Sequence, residues 1–205
     1  MSFEDDYNSI QASVGTEIKI KGSRFIADAS PTETASDAET FLASIVNAYP
    51  DATHHCYAYR VFADRNIIER SSDAGEPAGS AGAPMLTVIR GRQLLAVTVV
   101  VTRYFGGIKL GIGGLIRAYT ESTQTVLDKC KIVQHIHQSI VPISFPYELT
   151  GAVMHVISEY QGQIIESKYE ILTHVNVQIP LRVVDNFKKR LIDSTSNRIM
   201  IEPWN

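Results

Sequence analysis

The fold of this chain is organised around one glycine-rich stretch, Arg103-Tyr-Phe-Gly-Gly-Ile-Lys-Leu-Gly-Ile-Gly-Gly-Leu-Ile-Arg117. Five of the thirteen glycines lie inside this stretch, in a span of nine positions: Gly106, Gly107, Gly111, Gly113 and Gly114. Glycine at this density indicates positive φ angles or close approach of the backbone to another group. An apolar, β-branched run over residues 94–102 precedes the stretch and predicts a buried strand. Apolar residues at helical spacing follow it, including Ile112 and Ile116, and predict a helix with a buried face.

A strand, a glycine-rich loop and a helix in this order can attract an anion, because loop N–H groups and the helix N-terminus carry partial positive charge. Arg103, Lys109 and Arg117 add three cations around the loop. We therefore expect these cations and the five glycines to contact phosphate or nucleic acid. The alternative is that the glycines permit tight turns and close packing of helix on sheet, without any ligand. The stretch matches neither the Walker A spacing nor the dinucleotide fingerprint G-x-G-x-x-G.

Charge is distributed unevenly along the 205 residues, although the net charge is only −3 and the composition is that of a globular protein. Residues 1–83 carry a net charge of −7, residues 84–131 a net +5 and residues 132–205 a net −1. The basic excess therefore coincides with the segment that contains the glycine-rich stretch. A local field of this sign would steer a phosphate-containing partner towards it.

The location of the protein is predicted from its cysteines and its hydropathy. Cys56 and Cys130 both lie in apolar patterns, which predicts buried thiols in a reducing compartment. The N-terminus is acidic and unlike a signal peptide, and the longest apolar run is far shorter than a membrane helix needs. We therefore expect a cytoplasmic protein with no membrane partner. The oligomeric state is left open by the sequence.

The first 132 residues predict a mixture of strands and helices. Alternation predicts a hairpin over residues 17–28, and a capping box of Ser36 and Glu39 predicts the start of a helix that ends before Pro50. Strands are expected over residues 56–63 and 66–70. A polar loop with no core signal covers residues 71–83, and a short helix is expected to begin at Pro84.

Residues 133–205 predict a second domain with the element order βαββαβ, which is the ferredoxin-like arrangement. The pattern indicates strands over residues 136–145, 163–169, 171–179 and 198–201. Two apolar helix faces lie between them, the first around Val153 and the second around Phe187.

Three longer motifs resemble the IMPACT family: Ala52-Thr-His-His-Cys-Tyr-Ala-Tyr-Arg60, Ser72-Asp-Ala-Gly-Glu-Pro-Ala-Gly-Ser-Ala-Gly82 and Val101-Thr-Arg-Tyr-Phe-Gly-Gly-Ile-Lys-Leu-Gly-Ile-Gly-Gly-Leu-Ile-Arg-Ala-Tyr119. Within that family the chain is similar to the bacterial two-domain members of the YigZ type. The resemblance implies an α+β fold of two domains, a ribosomal protein S5 domain 2-like domain over residues 1–132 and a ferredoxin-like domain over residues 133–205. Eukaryotic relatives act in translational control by binding a protein partner, so the resemblance also implies a translation-linked role.

Two carboxylates in the polar loop, Asp73 and Glu76, are catalytic candidates together with His54. They could bind Mg²⁺ beside a phosphate or serve in acid–base chemistry. The alternative is that Asp73 closes a turn and Glu76 has only a local role. His54 and Cys56 share a strand face without a third ligand, so no metal site is expected. We expect no resident cofactor. If the protein does bind one, Mg²⁺ is the candidate.

The sequence thus favours a non-enzymatic, translation-linked protein that binds RNA or the ribosome through its basic glycine-rich loop. One alternative is an enzyme that acts on a phosphorylated or nucleotide substrate, because related folds include small-molecule kinases. The other is a protein–protein regulatory module with a partner in translational control.

Overall fold

The computed structural model describes residues 6–63 and 66–202, which divide into two compact units. The larger unit is Tyr7–His135, and the smaller unit contains Asp6 and the described residues from Ile136 onward. The predicted domain boundary lies a little earlier, between residues 132 and 133. No helix in these described ranges is long and apolar enough to cross a membrane.

The larger unit is built on a five-stranded antiparallel sheet in the order β2-β3-β6-β4-β5, and β1 pairs with β7 in a separate two-stranded sheet. Its elements are β1 Asp6–Ile10, β2 Val14–Ile20, β3 Ser23–Pro31, α1 Ala35–Ala48, β4 His54–Ala63, β5 Asn66–Ser72, α2 Gly82–Gly91, β6 Val97–Tyr104, α3 Ile112–Lys129 and β7 Ile132–Ile136. The predicted order of strand, glycine-rich loop and helix is confirmed as β6, residues 105–111 and α3.

The main core of the larger unit lies between the sheet and helices α2 and α3. Strand β6 is buried along nearly all its length, with Val97, Val99 and Val101 facing these helices. Helix α1 packs with a smaller cluster that includes Tyr59 and Val61 of β4. Because alternate residues of a strand point to opposite faces, Cys56 and Ala58 of β4 belong to the main core instead.

The smaller unit has the predicted element order βαββαβ, and the α+β fold class is confirmed. Its elements are β8 Gln138–Phe145, α4 Thr150–Glu159, β9 Gln163–Tyr169, β10 Thr173–Pro180, α5 Val184–Ser194 and β11 Met200–Ile201. The strands form an antiparallel sheet in the order β11-β8-β10-β9. Strand β10 alternates strictly between buried and half-buried residues, so one face of the sheet packs against α4 and α5.

Two helix starts differ from the predictions. Helix α1 is capped by Thr34, whose hydroxyl accepts the Asp37 amide at 3.2 Å while the Asp37 carboxylate accepts the Thr34 amide at 2.9 Å. The predicted capping box of Ser36 and Glu39 was therefore wrong by two residues. Helix α2 begins at Gly82 rather than Pro84, because Asp73 accepts the first amides of that helix from outside it.

Candidate functional site

The loop that joins β6 to α3, residues 105–111, is called the glycine loop below. Its path depends on glycine at three positions. A Cβ atom added to Gly106 would lie 1.9 Å from the carbonyl carbon of Gly22, so the two backbones pack directly on one another. Gly107 and Gly111 have φ angles of +85° and +70°, which side-chain-bearing residues rarely adopt. The predicted need for glycine here is thus partly conformational and partly a matter of packing.

The N-terminus of α3 follows the loop and is open to an anion. Its N-cap residue is Gly111, no side chain of the described residues caps it, and its first turn contains no acidic residue. An added Cβ at Gly113 would meet open space, whereas one at Gly114 would lie 3.0 Å from the Leu110 side chain. Because the first N–H groups of a helix lack intrahelical acceptors, this turn offers donors and partial positive charge to a ligand.

Exposed cations surround the glycine loop. Lys109 lies in the loop, and Arg117 lies in α3 one helical turn beyond Gly113. Lys21 occupies the turn between β2 and β3, beside the glycine that packs against Gly106. No aspartate or glutamate occurs in the sequence between positions 76 and 121. The surface of the glycine loop is therefore basic, and residues 77–120 supply no carboxylate to neutralise it.

Arg103 does not belong to this surface, which corrects its predicted contact with phosphate. It lies on the same face of β6 as Val101 and points into the core beneath the loop. Its guanidinium group donates to the Glu76 carboxylate at 2.6 Å and to the Ser23 hydroxyl at 3.3 Å. The two charged side chains are only 6% and 3% exposed. Arg103 therefore neutralises an internal carboxylate instead of reaching a ligand.

Glu76 is the centre of a buried polar cluster, called the Glu76 cluster below, which consists of Glu76, Arg103, Tyr119 and Ser23. The Tyr119 hydroxyl donates to the same carboxylate oxygen at 2.8 Å. The Ser23 hydroxyl in turn accepts the Gly106 amide at 3.2 Å. The cluster thus connects the polar loop, β3, β6 and α3, and it fixes the start of the glycine loop. This internal role accounts for Glu76 without acid–base catalysis.

Asp73 also has an internal role. One carboxylate oxygen accepts the Gly79 amide at 2.8 Å, and the other accepts the amides of Ala81 and Gly82 at 2.9 Å each. Burial raises the pKa of Asp73, but the hydrogen bonds from the three amides together lower it by more. The pKa of Asp73 therefore lies below its usual value. The carboxylate therefore holds the polar loop closed and caps α2. The described ranges contain no group of three or more His, Cys, Asp or Glu residues arranged for a metal ion.

The remaining candidate, His54, is joined to the same loop. Its Nδ1 lies 2.9 Å from the Ala74 carbonyl oxygen, and its Nε2 lies 4.0 Å from Glu76. Cys56, two residues on, is fully buried, with its Sγ 2.9 Å from the Asp73 carbonyl oxygen. Burial raises the pKa of the Cys56 thiol to about 12, so the thiol is not an activated nucleophile. These residues pack the polar loop against β4.

The structure also shows an exposed apolar surface that the sequence interpretation missed. Phe105, Ile108, Ile112 and Ile116 are all between 38% and 59% exposed. Ile112 and Ile116 belong to the apolar pattern that predicted α3, and the helix is confirmed, but both side chains are exposed. Ile116 also lines a groove of about 700 Å³ between α2 and α3. The four side chains lie in or beside the glycine loop.

Comparisons with known proteins agree with the architecture. Residues 21–127 match the model of the Impact N-terminal domain. An IMPACT family member of Haemophilus influenzae is 33% identical over 198 residues and covers 96% of each chain. The IMPACT family member YigZ of Escherichia coli is 32% identical over 184 residues, which is 89% of this chain and 90% of that protein. A crystal structure of a hypothetical protein is 31% identical, with a TM-score of 0.72 over 98% of both chains.

Proposed function

The chain belongs to the IMPACT family, and we propose that it acts in translation-linked regulation by binding RNA or the ribosome through its glycine loop and the first turn of α3. Membership of the family suggests the link to translation. The observation that supports the binding surface is the open N-terminus of α3, flanked by Lys109 and Arg117. The buried Glu76 cluster holds the start of the glycine loop through Ser23, and such preorganisation lowers the entropy lost on binding.

The expected ligand group is phosphate. Main-chain N–H groups at a helix start bind phosphate oxygens, and lysine and arginine add charge-assisted bonds to them. The smaller unit and the rest of the larger unit carry a net negative charge, so attraction to a polyanion would be concentrated at this segment. Arg103 is absent from the proposed contact set, because it is paired with Glu76.

Binding should be measured on the full chain with a labelled single-stranded RNA and with purified bacterial ribosomes, over a series of salt concentrations. Lys109→Ala and Arg117→Ala should each weaken binding. They should also flatten the log–log salt dependence by about 0.7 per lost phosphate contact on a single strand. Lys129→Ala is the matched control, since Lys129 is exposed at the opposite end of the same helix. Equal affinity and slope in all four proteins would refute the proposed surface.

A protein–protein regulatory module is the second candidate, and the exposed apolar side chains favour it. Ile112 and Ile116 lie one helical turn apart on α3, beside the exposed Ile108. Exposed apolar groups of this kind often mark contacts with another protein. Replacement of both Ile112 and Ile116 by Ser would then abolish ribosome binding while the affinity for free RNA stays unchanged. Loss of both activities together would favour a direct RNA contact.

A further inference from the structure

Strand β9 is an exposed edge strand of the smaller unit. Among the described residues it pairs with β10 alone, and all seven of its residues are exposed. The opposite edge of the same sheet, β11, is only two residues long. A long edge strand presents a row of unpaired N–H and C=O groups that can accept another strand, whereas a very short edge strand cannot. Strand β9 is therefore the edge at which this sheet can be extended.

Strand β9 also carries exposed apolar side chains, and their burial would stabilise pairing with another strand. Ile164, Ile165 and Tyr169 are 41%, 49% and 68% exposed. Two features normally protect such an edge, a bulge and a charge. Both occur here, because the pairing with β10 skips Ile165 and because Lys168 lies near the middle of the regular part. The bulge leaves Glu166–Tyr169 in regular register with β10, so this part remains able to pair.

The charges of β9 are complementary to those of a second copy of the same strand. In an antiparallel pair centred on Ser167, Glu166 lies opposite Lys168 of the partner subunit. At each end of this pair, Tyr169 of the partner subunit comes next to the bulge that contains the exposed Ile165. Glu166 and Lys168 are on one face of the sheet, since they are opposite Asn176 and His174 of β10. Opposite charges directly across strands are stabilising, and like charges are destabilising.

We propose that the chain forms a two-fold symmetric dimer through antiparallel pairing of β9 with β9 of a second copy, centred on Ser167. The charge of Lys168 disfavours pairing of β9 with most other strands. In a second copy of β9, however, Glu166 lies opposite Lys168 and neutralises its charge. In the separate chain the two side chains face each other along the strand, with Lys168 Nζ 3.3 Å from the Glu166 carboxylate. Dimer formation exchanges one such exposed pair in each chain for two pairs across the interface. The proposal is independent of the binding function proposed above.

Strand β2, an edge of the larger sheet, shows why β9 is preferred. Glu17 and Lys19 have the same spacing around Ile18 as Glu166 and Lys168 have around Ser167. However, Glu17 forms an ion pair with Arg24 at 3.3 Å. Ile18 already packs against the core of its own unit. Strand β2 therefore has less apolar surface to bury in a dimer, and it supplies a control.

Sedimentation velocity on the full chain, from about 10 to about 500 µM, tests the proposal, because a small interface between short strands gives weak association. The wild type should associate reversibly. Lys168→Glu and Glu166→Lys should each weaken association by about tenfold or more, because two-fold symmetry makes both cross-strand pairs repulsive at once. The double variant with both changes should restore association. Lys19→Glu, the matched change on β2, should associate like the wild type.

A disulfide test fixes the register. Ser167 lies opposite Ser167 of the partner subunit on the two-fold axis, so Ser167→Cys should give a disulfide-linked dimer under mild oxidation. Both native cysteines are buried, and the introduced thiol is therefore the exposed one. Ile171→Cys, beyond the end of β9, should give much less cross-linked dimer. A wild type that stays monomeric, association unchanged in Lys168→Glu, or no cross-link at position 167 would each overturn the proposal.

Discussion

At the scale of single residues, Arg103 keeps its charge in the protein interior because Glu76, Ser23 and Phe25 replace the water around it. The carboxylate lies 2.6 Å from one guanidinium nitrogen, and the guanidinium carbon lies 5.4 Å from the Phe25 ring centre. A buried ion pair of this kind contributes little net stability relative to an apolar pair. However, removal of one partner leaves the other charged and unpaired. The pair therefore makes the folding of this region depend on both residues.

Arg103→Met should accordingly destabilise the protein by about 3–5 kcal/mol, since Glu76 would be left as an unpaired buried carboxylate. Urea unfolding followed by circular dichroism measures this. The exposed control Lys129→Ala should change the free energy of unfolding by less than about 0.5 kcal/mol. Adding Glu76→Gln to Arg103→Met should recover part of the loss, because the two residues are coupled. A loss below about 1 kcal/mol in Arg103→Met would contradict this account of the ion pair.

Asp73 gives a prediction about pH. Its pKa in the folded protein lies below the usual carboxyl value, so the unfolded state binds a proton first as the pH falls. The stability that Asp73 contributes is therefore fully present above the ordinary carboxyl pKa of about 3.9 and is lost as the pH falls through its folded pKa. Asp73→Asn should be less stable than the wild type at pH 7, and the difference should shrink towards pH 3. Parallel pH dependence of the two proteins would show that Asp73 does not titrate in this way.

At the scale of elements, the glycine loop depends on the contact between two backbone segments that are distant in sequence. Gly106 packs on Gly22 with no space for a Cβ atom, and the Ser23 hydroxyl accepts its amide. The turn between β2 and β3 therefore supports the loop that starts α3. This support explains how a loop so rich in glycine can hold one conformation, despite the entropy that glycine loses on folding.

Two alanine substitutions separate packing from backbone conformation. Gly106→Ala should destabilise the protein by about 3 kcal/mol or more, because the added methyl group forces two backbone segments apart. Gly107→Ala should cost only about 1–2 kcal/mol, since its added methyl group meets open space and the φ angle alone is strained. Thermal unfolding of both variants tests the order of the two effects. A larger effect at position 107 would show that conformation, rather than packing on Gly22, limits the loop.

At the scale of the whole molecule, each unit has a hydrophobic core of its own. The core of the larger unit is formed mainly by β3, β4, β6, α2 and α3, and that of the smaller unit by β8, β10, α4 and α5. The two clusters of buried core residues have no residue in common. Units with separate cores of this size are able to fold alone.

Residues 7–135 and residues 136–202, expressed separately, should each therefore be soluble and unfold cooperatively. Circular dichroism and NMR amide dispersion of the two fragments provide the measurement. The fragment of residues 7–135 should also retain the RNA or ribosome affinity of the full chain, since it contains the glycine loop and α3. If either fragment is unstructured, the units depend on each other for folding.

Much of this architecture could be predicted from the sequence because it depends on local patterns. Alternation along β10, helical spacing in α4 and α5, and the glycines after β6 indicate each element from its own residues. The helix starts were less accurate, because Asp73 caps α2 from outside the helix. The excess of apolar residues on α3 was visible in the sequence, but which of them the sheet would leave exposed was not.

The order of elements, the α+β class and the position of the basic, glycine-rich loop all follow from patterns along the chain. Which charges remain available to a ligand depends instead on tertiary contacts. Arg103 and Glu76 are 27 positions apart, and Gly22 and Gly106 are 84 apart, yet each pair is in contact. Such pairs depend on the register and face of β3 and β6 and on how the polar loop folds back over β4. A side chain's role is therefore set by the distant segments that pack against it, and no local pattern contains that information.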